Sequence, residues 1–154
     1  MQTISRSVRS ASAHDAAARV AIYCGPKAHE WLVLEHDGQV IGFAYGHALH
    51  RVPSYQWSVE TGIYISGDHH RAGGGRTLYV EVLRRLTDRG YRRVFAGIAQ
   101  PNKASNAFHR SFGFRDAGLY RRVECKHGSW HDVAWMQLDL HGPADQDGPP
   151  GPIT

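Results

Sequence analysis

Short apolar runs of strand length alternate along the chain with two segments whose apolar residues recur at helical spacing. Trp31–Glu35 and Gln39–Tyr45 are apolar runs separated by His36-Asp37-Gly38, and an Asp-Gly pair between two such runs predicts a tight hairpin turn. Residues 46–54, which include Pro53, read as a loop. A third strand is expected over Gln56–Ile65, with β-branched and aromatic residues and with Gly62 as a candidate bulge. In Thr77–Arg89 the apolar residues Leu78, Val82, Leu83 and Leu86 fall on one helical face, and Gly90 supplies the stop. Arg93–Ala99 reads as a buried strand; Pro101-Asn102 breaks it and opens a second helix from Ala104 to about Phe112. Ala117–Val123 and His131–Leu140 are two further strands, joined by a turn around Lys126–Trp130. From Trp31 onward the order is β-β-β-α-β-α-β-β, which predicts an α/β domain with a mixed sheet.

The two ends differ from this middle. Thr3–Val8 is read as a short edge strand. Ser12-Ala-His-Asp15 has a capping-box pattern ahead of the helix formers of Ala16–Tyr23, and Gly25-Pro26 closes that helix. The same Ser/Ala/Arg-rich stretch fits a transit peptide, a less favoured reading. Residues 142–154 are rich in Pro and Gly and are expected to form a disordered tail. The expected organisation is one domain over residues 1–140, with a tail over 141–154.

Composition narrows the classes. With 154 residues, 42% hydrophobic and 21% charged, the chain has the balance of a single globular domain. No stretch approaches the roughly 18 apolar residues of a membrane span. Two cysteines, Cys24 and Cys125, are too few for a disulfide scaffold or a four-thiolate zinc site. The net charge of +4 is concentrated: residues 68–126 hold 13 Lys and Arg against 5 Asp and Glu, while the remainder holds 5 against 9. That imbalance favours an anionic partner. A nucleic acid is the least favoured one, because the arginines are spread through helix and strand and no nucleic-acid module is visible.

Candidate chemistry begins at Tyr64–Thr77, where a strand leads through Gly73-Gly74-Gly75 into a helix. Backbone N–H groups without side chains in the way, the positive end of a helix dipole, and Arg71 and Arg76 together make an anion cradle. No Gly-Lys-Ser/Thr closes the loop, and Leu78 stands at the third glycine position of a dinucleotide fingerprint. Taken alone, the three glycines equally fit a flexible turn. Strand alternation places Ser58, Glu60, Gly62 and Tyr64 on one face, small and polar enough for the floor of a cleft. Glu60 there is either a solvent-facing carboxylate or a partly buried base with a raised pKa. His109 lies two helical turns after Asn102, as a core histidine or a proton carrier, and Asn102 has the type of an N-cap. His127 and His131 have a spacing that can ligate zinc, but they bracket a turn, and no metal is expected. Trp130 and Trp135 are expected to pack.

Several of these segments agree in order and spacing with one family. His70–Gly75 resembles the R/Q-x-x-G-x-G/A pyrophosphate signature of the GNAT superfamily of N-acetyltransferases. Ile98–Asn102, Ser105, Phe108-His109 and Phe112–Phe114 resemble a second motif of that superfamily. Tyr55–Glu60, Tyr64–Ser66 and Lys126–Val133 are similar to the phosphinothricin (bialaphos-resistance) N-acetyltransferase group, and the resemblance is nearly continuous from Trp31 to Leu140. It implies a largely antiparallel GNAT sheet flanked by helices, and acetyl-CoA as co-substrate. The implied cofactor contacts are Ile63, Tyr64, Ile65, His70, Arg71, Ala72, Gly73, Gly74, Gly75, Arg76 and Asn102. Glu60 is implied as general base, with His109 assisting the leaving thiolate, and Tyr55, Trp57 and Arg51 on the acceptor side. A small-molecule amine substrate, a cytoplasmic location and a homodimer follow from the same resemblance, with no nucleic acid, membrane or metal. The chain departs from the family at His70, where Gln or Arg is usual, and at Cys125, where Tyr is usual. Arg51 does not align cleanly with the family's loop arginine. Only seven residues separate Tyr23 from Trp31, where relatives place a second N-terminal helix, so that helix is expected to be missing. This last departure motivates a competing expectation, a CoA-binding scaffold without catalysis.

Overall fold

The computed structural model describes residues 5–12, 28–70 and 72–140. The elements are β1 (Arg6–Ser10), β2 (Ala28–His36), β3 (Gln39–Ala48), β4 (Ser58–Ile65), α1 (Gly74–Asp88), β5 (Arg93–Ala99), α2 (Lys103–Ser111), β6 (Arg115–Lys126) and β7 (Ser129–Asp139). They form one seven-stranded sheet in the order β1-β2-β3-β4-β5-β7-β6. Every neighbouring pair is antiparallel except β4 and β5. The expected helix over Ala16–Tyr23, the missing second helix, Cys24, Arg71 and the tail beyond residue 140 lie outside the described residues.

Local chemistry explains the turns. Asp37 (φ 49°) and Gly38 (φ 77°) both adopt the left-handed conformation, as do His127 (φ 52°) and Gly128 (φ 75°). Two consecutive residues with positive φ make the turn whose twist suits a two-residue hairpin. These turns pair His36 with Gln39 and Lys126 with Ser129. Gly90 (φ 99°) ends the first helix as its sequence position indicates. The edge strand runs on to Ser10, two residues past its expected end, β3 runs on to Ala48, and β6 continues past Val123 through an irregularity between Tyr120 and Glu124. There Arg122 has φ 49°, and its N–H donates to the Asp132 carboxylate at 2.8 Å.

The helix α1 buries Leu78, Tyr79, Val82, Leu83 and Leu86 against a sheet face that contributes Leu32, Leu34, Val59, Val94 and Met136. Each such side chain, fully removed from water, contributes about 1.5–3 kcal/mol before entropy is charged against it. Beside α1, the helix α2 sets the rings of Phe108, His109 and Phe112 around Tyr79, with centroid distances of 5.4, 5.3 and 5.1 Å.

One expectation is corrected here. Gly62 is no bulge: β3 and β4 stay in register throughout, and Gly62 pairs with Tyr45. The basic residues of the central segment are partly paired. Arg84 and Arg85 pair with Glu81, Arg89 with Glu30, Arg93 and Arg115 with Asp139, and Arg110 with Asp116. Six of the 13 Lys and Arg in residues 68–126 are therefore paired with carboxylates, which the linear charge count cannot register.

Candidate active site

The single parallel pair in the sheet makes the site. The β4–β5 ladder runs only from Ser58/Arg93 to Glu60/Phe95. Beyond that point the strands part, although β4 continues to Ile65 and β5 to Ala99. The gap is a cleft of about 280 Å³ lined by residues 61–64 of β4, residues 96–99 of β5, and Asn102, Ser105 and His109. Strand edges that part in this way leave backbone N–H and C=O groups available to a ligand instead of to a ladder. Ile63 and Tyr64 line this cleft, and the Tyr64 ring stacks on Phe43 at 5.5 Å. Ile65 instead packs against the core.

The start of α1 lies against Ile65 at the end of β4, and Gly73 and Arg76 line a separate cavity with Val8, not the cleft itself. Gly73 has φ 80° and caps the helix without a side-chain acceptor, so the first-turn N–H groups remain available to an anion. The neighbouring glycines serve packing as well. A Cβ on Gly74 would stand 2.6 Å from Leu34 Cδ2, and one on Gly75 would stand 3.3 Å from Ile65 Cγ1. Two side chains implied as ligand contacts have partners inside the protein. His70 Nε2 donates to the Ile65 carbonyl at 2.7 Å, and Arg76 donates to the Ser111 hydroxyl while its guanidinium lies 4.7 Å from the Phe112 ring centre. Ala72 is exposed in the loop, and its carbonyl accepts from Arg6.

Glu60 stands where the strands part. It lines a second cavity of about 380 Å³ with Leu49, His50, Phe95, Gly118, Tyr120 and Trp135. Burial raises its carboxyl pKa above the ordinary value, and nearby His47 partly opposes that shift. The carboxylate is half-buried, not solvent-facing. The register pairs His47 with Glu60 directly across β3 and β4, and His47 Nε2 lies 3.9 Å from Glu60 Oε2. The sequence pattern ends β3 at Tyr45, three residues short of Ala48, and so leaves His47 in a loop. Counting back from Glu60 through the antiparallel register would have found it.

On α2, Asn102 is the N-cap: its Oδ1 accepts from the Ser105 N–H at 3.0 Å. It also faces the cleft, so capping and lining coexist. His109 is 4% exposed, and its Nδ1 donates to the Ser105 carbonyl at 2.8 Å. Burial pushes its pKa below the ordinary value, against the opposing effect of that hydrogen bond. The neutral ring therefore carries its proton on Nδ1 and its lone pair on Nε2.

The acceptor side departs from expectation. Arg51 and Tyr55 are exposed and Trp57 is half-buried in the loop after β3, and none of the three lines the cavity at Glu60; His50, packed edge-on against Tyr55 at 4.5 Å, does. Trp135 is more than a packing residue. It fits against Gly97, where a Cβ would lie 3.2 Å from its ring, and it forms a wall of the Glu60 cavity. Trp130, also expected to pack, is 56% exposed. His131 turns inward, its Nδ1 donating to the Gln100 carbonyl at 3.2 Å, and His127 sits in the hairpin turn.

The family model described as the acetyltransferase (GNAT) family matches residues 3–114. The chain belongs to this family. As a GNAT protein it is 38% identical over 125 residues to a phosphinothricin N-acetyltransferase of Streptomyces viridochromogenes, a match covering 81% of this chain and 66% of that relative. The chain thus spans slightly less than two thirds of that relative's length. It is 32% identical over 116 residues to an L-methionine sulfoximine/L-methionine sulfone acetyltransferase of Salmonella typhimurium, covering 75% of this chain and 68% of that one. Among solved structures it is similar to a GNAT superfamily phosphinothricin acetyltransferase from Sinorhizobium meliloti in complex with AcCoA. That match has a TM-score of 0.77 and 29% identity, and covers 92% of each chain. The GNAT sheet implied by the sequence is the sheet described above.

Proposed function

We propose that this GNAT chain transfers an acetyl group from acetyl-CoA to the amine of a small amino acid or analogue of the phosphinothricin or methionine sulfoximine type. The carrying observation is the position of Glu60: a half-buried carboxylate with a raised pKa, at the point where β4 and β5 part. The glycine cap of α1 and the strand edges beyond Glu60 fit a ligand with a diphosphate and an extended arm.

Bound acetyl-CoA supplies the reactive thioester. Glu60 accepts a proton from the acceptor's ammonium group, and its raised pKa suits it to that task near neutral pH. A backbone N–H on the cleft edge of β4 faces the oxygen on which negative charge develops. The first-turn N–H groups of α1 and the helix dipole hold phosphate. His109 relays a proton at the thiolate end; because its resting proton is on Nδ1, Nε2 must gain a proton before it can donate one. Trp135 and His50 shape the acceptor side, with Tyr55, Trp57 and Arg51 on the loop before β4.

In this reading residues 1–140 form the catalytic domain and the protein acts in the cytoplasm. Among the described residues no helix is long and apolar enough to cross a membrane. A homodimer is part of the same proposal, supported by Leu119, Tyr120, Val123 and Trp130, four large apolar side chains exposed on the β6–β7 hairpin at the sheet edge.

The test is Glu60→Gln, assayed with acetyl-CoA and L-phosphinothricin or methionine sulfoximine. Turnover is expected to fall about 100-fold or more, with acetyl-CoA affinity by calorimetry within about twofold of the parent. Undiminished turnover would remove Glu60 as the base. A second reading, a CoA-binding scaffold, is favoured by one observation: Arg51, Tyr55 and Trp57 do not line the Glu60 cavity. Calorimetric CoA binding with no acetylation of any amine tested would establish it.

A further inference from the structure

His47 makes two contacts that together limit where its protons can be. Its Nδ1 lies 3.1 Å from the Ala48 carbonyl. A carbonyl only accepts, so Nδ1 carries hydrogen, and a neutral His47 must hold its lone pair on Nε2. That nitrogen lies 3.9 Å from Glu60 Oε2. The distance is too long for a direct hydrogen bond, but it is within ion-pair range and spanned by one water or a small side-chain movement. A lone pair facing an ionised carboxylate is two acceptors with no donor. The arrangement becomes favourable when one proton lies between them, on Nε2 or on Oε2. Tyr45 restricts the imidazole further by stacking on it at 5.5 Å with the rings 8° from parallel.

From this geometry we propose that His47 and Glu60 share one proton, and that His47 is a positioning residue acting through Glu60 as its proton store. The inference rests on Glu60 being the base proposed above. The balance is simple. The acceptor's ammonium nitrogen loses two protons as its bond to the acetyl carbon forms and the carbon–sulfur bond breaks. One of these protons leaves with the thiolate sulfur. The other passes from Glu60 to His47 Nε2, giving an imidazolium held by Ala48, and then reaches water at the partly exposed edge of His47. The basicity of the pair is then that of a histidine beside a carboxylate. Other titratable groups near Glu60 are Tyr45 on β3, His50 on the following loop and Tyr120 on β6.

Two measurements test this. In the first, imidazole resonances of the full chain are titrated by NMR, with His47 assigned from the signal lost in His47→Gln. Replacing Glu60 with Gln is expected to weaken proton uptake by His47 about tenfold. An unchanged His47 titration overturns the pairing. This readout needs no acceptor and no turnover, so it is independent of whether the proposed activity is correct. In the second, the pH profile of kcat/KM is compared between the parent, His47→Gln and, as control, His127→Asn in the exposed β6–β7 turn. In His47→Gln the acid limb is expected to move to lower pH, and kcat to fall about tenfold with acceptor KM within twofold; His127→Asn should keep the parent profile. A His47→Gln profile that overlays the parent overturns the role of His47.

Discussion

The Tyr45 ring fills the space beside Gly62, its register partner on the next strand: a Cβ on Gly62 would stand 2.4 Å from the Tyr45 hydroxyl and 2.5 Å from Cζ. Both residues line the cleft between β4 and β5. Gly62 is required there because an aromatic ring lies across it.

Gly62→Ala should therefore destabilise the fold by about 1–3 kcal/mol through overpacking, lowering Tm by roughly 2–4 °C per kcal/mol at this size. In a Tyr45→Ala background the same substitution should cost much less, a coupling of about 0.5–3 kcal/mol in a double-mutant cycle by urea unfolding. Additive effects would show that something other than the ring excludes the Cβ.

Glu60 should trade stability for chemistry. Burial raises its folded-state pKa above the unfolded value near 4.5. The stability linked to this group is thus fully present below about pH 4.5. It is lost as pH rises through the folded-state pKa. Glu60→Gln removes the penalty, so its Tm should exceed that of the parent at pH 7, with the gap closing as pH falls towards 4.5. Scanning calorimetry of the two proteins across that range reads the effect, and a constant gap would contradict it.

His109 has the opposite sign. Its pKa is lowered by burial from 6.5, so in the window below 6.5 the unfolded chain binds the extra proton. Its contribution to stability is complete above about pH 6.5 and is lost as pH falls towards the folded-state value. His109→Leu should show a weaker fall in urea midpoint between pH 7.5 and pH 5.5 than the parent. Parallel falls would assign the acid sensitivity to other groups.

The exposed apolar side chains of the β6–β7 hairpin make a prediction about assembly. In sedimentation velocity the parent should run as a dimer, and Leu119→Glu/Trp130→Glu as a folded monomer. A parent that sediments as a monomer at all concentrations would remove this edge as a dimer contact.

Much of the fold is legible in local chemistry. Asp37-Gly38 and His127-Gly128 specify hairpin turns because two adjacent residues there must adopt positive φ. The helical repeat of Leu78, Val82, Leu83 and Leu86 specifies the buried face of α1, and Asn102 specifies where α2 starts. Tyr79, a polar-tipped ring at the centre of the aromatic cluster, was not legible, because its burial depends on three rings arriving from α2. Nor was the pairing of arginines with Glu30 and Asp139, carboxylates far from them in the chain.

By itself, the sequence determined the order of elements, the family motifs and the candidacy of Glu60, because turn chemistry, periodicity and motif spacing are local properties. Only the tertiary structure decided which groups meet. The parting of β4 from β5 after Glu60, the approach of His47 across the β3 register, and the wall made by Trp135 against Gly97 all depend on strands distant in the chain lying side by side. Burial and pairing set the protonation of Glu60 and His109, and both arise from those long-range contacts.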